Sequence, residues 1–197
     1  MNLPNKLTVF RIILVPAVMV FILLPDIGAF PETWSNIFAA ALFLIASLTD
    51  LLDGIIARKM KLVTNFGKLM DPIADKFLIV GAMIAVTASG SFENIRMLAA
   101  WVTAVMFFRE FAVTSIRLVA NEAEGNVIAA NFAGKLKTVS QCVCILVVLL
   151  EKVVISERIG LSFPLFSCIT MIITTALTVY SGLLYIKRYW KYINPAN

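Results

Sequence analysis

The 197-residue chain contains no histidine, only three cysteines and few charges, with 17 Lys and Arg, 12 Asp and Glu, and 15% charged residues in all. Soluble domains carry about 25% charged residues and about 45–50% apolar ones. Here 60% of residues are hydrophobic and the mean hydropathy is +0.92. So few charges cannot cover a water-facing globule. This excludes a soluble enzyme, a disordered tail and, despite a pI of 9.2, a nucleic-acid-binding module. Without histidine, any acid–base chemistry falls to carboxylates, lysine, tyrosine or water. Cys142, Cys144 and Cys168 lie in apolar runs, and the first two, two residues apart, point to different sides of a helix. They read as small buried hydrophobes, not as a disulfide or a metal site. The first apolar run contains Arg11 and Pro16 and is followed by no clear small-x-small cleavage site, so it reads as a retained span, not a removed signal peptide.

What is present is a series of long apolar segments. Six of them, roughly 7–24, 37–57, 72–88, 96–120, 128–150 and 163–186, are long enough to cross a bilayer. Short polar or turn-rich stretches separate them, with no linker and no internal repeat. The expectation is an all-α integral membrane protein, a six-transmembrane-helix bundle forming one domain over 1–197. The basic residues set its orientation. With the N-terminus inside, 14 of the 17 Lys and Arg fall in the cytoplasmic half, and only Arg96, Lys152 and Arg158 fall outside. Both termini are then cytoplasmic. Trp34 and Trp101 suit the outer interface, and Tyr185, Tyr189, Trp190 and Tyr192 the inner one. Lys and Arg near the inner face also attract anionic lipid heads.

Four aspartates, Asp50, Asp53, Asp71 and Asp75, stand at the cytoplasmic ends of the second and third segments. Carboxylates in apolar spans are costly and usually face a bundle interior or a wet cavity. At about 100° per residue, Asp50, Asp53, Gly54 and Ala57 share an arc of about 100°, so the acids lie beside two small residues that admit a close ligand. Asp71 and Asp75, four apart, stack on the next helix, and the short loop between the helices predicts an antiparallel pair facing a common site. Close carboxylates repel unless some are protonated or cations intervene. Hard divalent ions such as Mg²⁺, one or two of them, suit the oxygen donors, whereas zinc is disfavoured without histidine. The alternative is a set of helix-end aspartates that cap the third segment and pair with Arg58 or Lys76.

The complete pattern is Asp50-x2-Asp53-Gly54-x2-Ala57-Arg58-x8-Gly67-x3-Asp71-x3-Asp75. It resembles the signature of the CDP-alcohol phosphotransferase family at every fixed position and gap. The resemblance implies transfer of a phosphoryl-linked group from a CDP-linked donor to an alcohol, with release of CMP and use of Mg²⁺ or Mn²⁺. By resemblance, Asp50, Asp53, Asp71 and Asp75 surround a metal pair and Asp75 is also the general base. Gly54, Ala57, Arg58, Thr64 and Gly67 then belong to the CDP-donor site, Arg58 neutralising the diphosphate. The opening Asn2-Leu3-Pro4-Asn5-Lys6-Leu7-Thr8-Val9-Phe10-Arg11 is similar to that of the phosphatidylglycerophosphate synthases within the family. That similarity places Asn5 and Thr8 near the donor. The other reading has Asn5 capping the first helix while Lys6 and Arg11 reach lipid heads.

A basic group completes the inner half. Arg109 and Arg117 lie within about 80° of each other on a helix, and Glu110 is placed to orient one of them. Lys135 and Lys137 diverge by about 200°, so at most one of them faces the same cavity. Cations directed into a pocket suit a phosphate, so Arg109, Arg117, Lys135 and Lys137 are the candidate acceptor-phosphate residues, with lipid-head contact as the alternative. The stretch 109–114 and Tyr180-Ser181-Gly182 with Tyr185 again resemble the phosphatidylglycerophosphate synthases. This implies glycerol 3-phosphate as acceptor and CDP-diacylglycerol as donor. It also implies a homodimer in the inner (cytoplasmic) membrane with its site facing the cytoplasm. The small residues at 39–41 permit helix contact without establishing it. Inositol phosphate, phosphatidylglycerol as in a cardiolipin synthase, and a cation transporter using the carboxylates are the competing readings.

Overall fold

A computed structural model describes residues 3–60, 65–124, 132–156 and 163–193. Among the described residues it is all helical, with six long helices and no strand. These are α1 (Leu3–Leu23), α2 (Glu32–Met60), α3 (Asn65–Ala88), α4 (Arg96–Glu124), α5 (Phe132–Glu151) and α6 (Leu165–Ile193). The helices overrun the apolar segments because hydropathy marks the greasy stretch and not the helix end. Thus α2 begins five residues before the segment predicted from 37, and α3 begins at Asn65, ahead of the Pro72 expected to open it. Four helical stretches among the described residues are long and apolar enough to cross a membrane: Asn5–Ile27, Glu32–Asp50, Gly90–Ile116 and Leu165–Trp190. The remaining two helices, α3 and α5, contain Asp71, Asp75 and Lys76, and Lys135 and Lys137, respectively.

The helices group in two trios. Helix α1 packs against α2 and α3, while α6 packs against α4 and α5. The trios meet where α3 touches α4 and α2 touches α5. Among the described residues α2 and α3 touch each other only slightly, because α1 lies against both. The facing ends of α2 and α3, where the short loop predicts an antiparallel pair with Asp53 and Asp71, lie largely outside the described side chains.

The inward stripe of α1 accounts for its position. Asn5, Thr8, Arg11, Val15, Val18 and Ile22 recur every three or four residues, and all are buried. Phe10, Ile13 and Val20 on other faces are exposed, as suits a helix bounded by lipid. One stripe is thus polar in its first half and apolar in its second. The apolar half joins Phe43, Met83, Val86, Met106, Ile145 and Met171 in a core to which every helix contributes. Burying one such side chain contributes roughly 1.5–3 kcal/mol against water, but against lipid the gain comes chiefly from close packing. The cysteines are unpaired, and Cys144 is buried in this core.

The connections at one end are tied together. Asp26, in the α1–α2 connection, accepts from the backbone N–H of Gly90 at 3.0 and 3.1 Å and from Ser89 Oγ at 3.2 Å. Lys152 donates to Glu32 Oε1 at 2.8 Å and to the Ser91 carbonyl, linking three connections. Glu151 is buried and accepts from the N–H groups of Phe166 and Ser167 at 2.9 and 2.6 Å, and from the Ser167 hydroxyl. A carboxylate there satisfies orphan donors at the start of α6 and complements its dipole. Trp34 and Trp101 are exposed, as an interface position requires. Tyr185 and Tyr189, expected at the opposite interface, are instead buried and stack at 4.6 Å beside Val113; Trp190 is exposed. Tyr192 carries no described side chain.

Hydrogen bonds to a charged partner each contribute about 1.5–3 kcal/mol. Glu151→Ala is therefore expected to lower the detergent-solubilised protein's melting temperature by several degrees, with Glu151→Gln intermediate. An unchanged melting curve for Glu151→Ala would show that this cap contributes nothing.

Candidate active site

Asp50, the first aspartate of the motif, lies on α2 with its side chain 33% exposed, and its Oδ1 is 2.6 Å from Nη1 of Arg11 on α1. Arg11 is fully buried, so the alternative reading in which it reaches lipid heads does not hold. A guanidinium inside an apolar bundle needs a carboxylate partner, and the motif supplies one. Thr8 and Asn5, one and two turns earlier, are buried on the same stripe. Asn5 lies inside the first turn of α1, not at a cap, while Lys6 is exposed. Gly67 is buried on α3. The side chains of Asp53, Gly54, Ala57, Arg58, Asp71 and Arg117 lie outside the described ones, as does the whole of Thr64. Their backbone positions keep the helical spacing, with Asp53 three residues after Asp50 on α2 and Asp71 four before Asp75 on α3.

Asp75 lies at the seam between the trios. It is within electrostatic reach of Asp50, Lys137, Arg11 and Glu110. Two carboxylates on different helices thus feel each other's charge, an arrangement a divalent cation would relieve. Among the described residues no group of three metal-ligating side chains forms. Asp53 and Asp71, the remaining acids of the motif, are not among the described side chains. What is described fits a hard divalent ion and does not fit zinc.

Beside the acids stands a buried ionic network. Glu110 Oε1 accepts from Arg109 Nη1 at 3.1 Å and from Lys137 Nζ. Arg109 Nη2 donates to Ser181 Oγ on α6 at 2.9 Å. A Cβ on Gly182 would lie 3.1 Å from Arg109 Cγ, so glycine leaves room for the arginine stem. One glutamate thereby gathers a cation from its own helix and one from α5. Lys137 is buried and Lys135 is exposed, the divergence their two-residue spacing demands. On the α3–α4 side, Lys76 Nζ donates to Thr114 Oγ1 at 2.6 Å.

Two clefts open on this network. A narrow one is lined by Asp75, Lys76, Glu110, Lys137 and Gln141 over Ile79 and Met106. A larger cavity of about 270 Å³ lies between α3 and α4, walled by Ile73, Phe77, Val80, Phe107 and Phe111, with Lys76, Glu110 and Thr114 among its lining. The Arg109–Ser181 contact and the Gln141 side chain were absent from the sequence reading. Only the helical spacing of Gln141 from Lys137, one turn on, hinted at the second.

Comparison with known proteins places these residues in context. The model of the CDP-alcohol phosphatidyltransferase family matches residues 1–180. The chain is 38% identical over 202 residues to the CDP-diacylglycerol–glycerol-3-phosphate 3-phosphatidyltransferase of Bacillus subtilis (strain 168), covering 100% of this chain and 99% of that one. It is 36% identical over 189 residues to a probable phosphatidylglycerophosphate synthase of Mycobacterium tuberculosis (strain ATCC 25618 / H37Rv), covering 95% and 81%. To the CDP-diacylglycerol–glycerol-3-phosphate 3-phosphatidyltransferase of Escherichia coli (strain K12) it is 34% identical over 191 residues, covering 94% and 93%.

The Arg11–Asp50 pair makes a direct prediction. Removing one member of a buried pair costs roughly 3–5 kcal/mol, and the partial exposure of Asp50 favours the low end. Arg11→Met is expected to lower the thermal midpoint in detergent strongly, with Arg11→Lys losing less. Equal midpoints for Arg11→Met and the unaltered protein would refute the structural weight given to the pair.

Proposed function

Since the chain belongs to the CDP-alcohol phosphatidyltransferase family, we propose that it transfers a phosphatidyl group from CDP-diacylglycerol to the primary hydroxyl of sn-glycerol 3-phosphate. The products are phosphatidylglycerophosphate and CMP. The observation that carries this reading is that Asp75 of the acidic motif and the buried cation Lys137 line one narrow cleft, which at about 10 Å³ must widen to admit the acceptor. It offers a base for an alcohol and a cation for a phosphate on the same molecule. A choline acceptor would call for an aromatic cage, and inositol or serine, which carry no phosphate, would not need several cations.

Asp50, Asp53, Asp71 and Asp75 hold Mg²⁺ or Mn²⁺, as a pair of ions. When bound, such ions neutralise the diphosphate and stabilise the leaving CMP. Gly54, Ala57 and Gly67 give the cytidine a close approach, Arg58 and Thr64 hold the diphosphate, and Asn5 and Thr8 border the donor from α1. Arg109 and Lys137 hold the acceptor phosphate, with Arg117 and Lys135 nearer the cytoplasmic entrance. Asp75 takes the proton from the primary hydroxyl. The oxygen then attacks the phosphorus that carries the diacylglycerol, the bond from that phosphorus to the CMP oxygen breaks, and CMP leaves.

In this reading all six helices span the inner (cytoplasmic) membrane as one domain, residues 1–197, with both termini and the site on the cytoplasmic side. The protein acts as a homodimer. The diacyl tails enter sideways from lipid, and the α3–α4 cavity, apolar along its wall and charged at its end, has the chemistry such an entrance needs.

CMP release by the purified protein in detergent with Mg²⁺ or Mn²⁺, measured with each acceptor in turn, tests the reading. Glycerol 3-phosphate is expected to stimulate release, and inositol phosphate or phosphatidylglycerol is not; no stimulation by glycerol 3-phosphate would sink it. Chelation of divalent ions is expected to abolish transfer. Asp75→Asn is expected to lose at least about a hundredfold in rate, the low end for general-base catalysis, while still binding CDP-diacylglycerol. Retained turnover would refute the base assignment.

A further inference from the structure

Gln141 is a buried polar residue with no part in the reading above. It lies on α5 one turn beyond Lys137 and is 1% exposed. Its side chain lines the narrow cleft with Asp75, Glu110 and Lys137. Every other polar group on that wall has a described partner or a charge to answer. Glu110 accepts from Arg109 and Lys137, and Lys76 donates to Thr114. Asp75 faces the field of Asp50, Lys137 and Arg11. Among the described residues the Gln141 amide makes no hydrogen bond, and its atoms are not fully enclosed by protein, so its two donors and its acceptor face the cleft. Buried amides are normally satisfied, and leaving one without a partner costs about 1–3 kcal/mol. An aliphatic residue would fill this place without that cost.

The neighbours define what the amide meets. If Asp75 takes the primary hydroxyl and Lys137 with Arg109 takes the phosphate, the acceptor's middle carbon lies between those two ends. That carbon bears a secondary hydroxyl, which is both a donor and an acceptor, and so is the amide. We propose that Gln141 binds the secondary hydroxyl of the phosphorylated acceptor and thereby makes the site selective for a vicinal diol phosphate over a simple alkanol phosphate. The proposal deepens the reading above and rests on it. Its physical basis is that a site built to hydrogen-bond a hydroxyl rejects an analogue lacking it far more strongly than an apolar pocket rejects an added one.

The test compares sn-glycerol 3-phosphate with 3-hydroxypropyl phosphate, which keeps the primary hydroxyl and the phosphate but lacks the secondary hydroxyl. CMP release is measured for the unaltered protein, Gln141→Leu and Gln141→Asn. The unaltered protein is expected to prefer glycerol 3-phosphate by at least about a hundredfold in kcat/KM. Gln141→Leu is expected to lose about tenfold to a hundredfold with glycerol 3-phosphate while its rate with 3-hydroxypropyl phosphate holds or rises, so the ratio collapses. Gln141→Asn is expected to fall between them. A packing role would lower both substrates together and leave the ratio intact, and that result overturns the proposal. If Gln141→Leu does not fold, the unaltered protein still decides, because equal use of the two acceptors also overturns it. Absence of stimulation by either phosphate would instead count against the function itself.

Discussion

The arrangement of this bundle depends on a simple requirement: a charge placed within an apolar helix must meet a partner from another helix. An unpaired buried charge costs several kcal/mol, comparable with a large part of a domain's net stability. Arg11 meets that requirement through Asp50 and ties α1 to α2. Glu110 meets it through Lys137 and ties α4 to α5, while Arg109 reaches Ser181 and brings in α6. The polar residues that hold the inner part of the bundle together are therefore the same ones that form the candidate site. Changing one alters the position of several helices as well as the chemistry of the cleft.

The two ends of the bundle use charge differently. At the tied end, Asp26 and Glu151 spend their oxygens on backbone N–H groups, and Lys152 bridges a carboxylate and a carbonyl. Those groups are saturated by the chain itself and have little left to offer a ligand. At the other end the contacts run from side chain to side chain, and two cations share one carboxylate oxygen of Glu110. Around the cleft three cations, Lys76, Arg109 and Lys137, face two carboxylates, Asp75 and Glu110. The remainder is what an anionic acceptor would neutralise, which is why the network reads as a binding site and the tied end as structure.

Much of this was legible along the chain. The six long helices among the described residues follow from hydropathy and periodicity, and the divergence of Lys135 from Lys137 is a matter of two residues at 100° each. Contacts between distant helices were not legible. Arg11 could be read as a lipid-facing cation because nothing local reveals that α1 lies against α2. Tyr185 and Tyr189 looked interfacial because aromatic residues near a helix end usually are, yet each finds a stacking partner one turn away and both turn inward. Gln141 looked like an ordinary polar interruption. Its meaning comes from α3 and α4, which bring Asp75 and Glu110 to it across the seam.

Helical arithmetic adds a common depth. Counting from the tied end, Arg11 is 12 residues from Leu23, Asp75 is 13 from Ala88, Arg109 is 13 from Arg96 and Lys137 is 14 from Glu151. At about 1.5 Å per residue these are all about 18–21 Å along their helices. Four helices thus carry a charge at a similar distance from their tied ends, while on α2 Asp50, the partner of Arg11, is 18 residues from Glu32. In the proposed six-span arrangement, with a hydrocarbon layer about 30 Å thick, that level lies roughly two-thirds of the way across. A water-soluble phosphate would descend only about 10 Å from the near face to reach it, while a lipid-linked donor keeps its tails in the layer and its headgroup at the same depth. Placing the charges nearer the middle would raise the desolvation cost, and placing them at the surface would leave the reacting phosphorus open to water. The shared level is the compromise between those two costs.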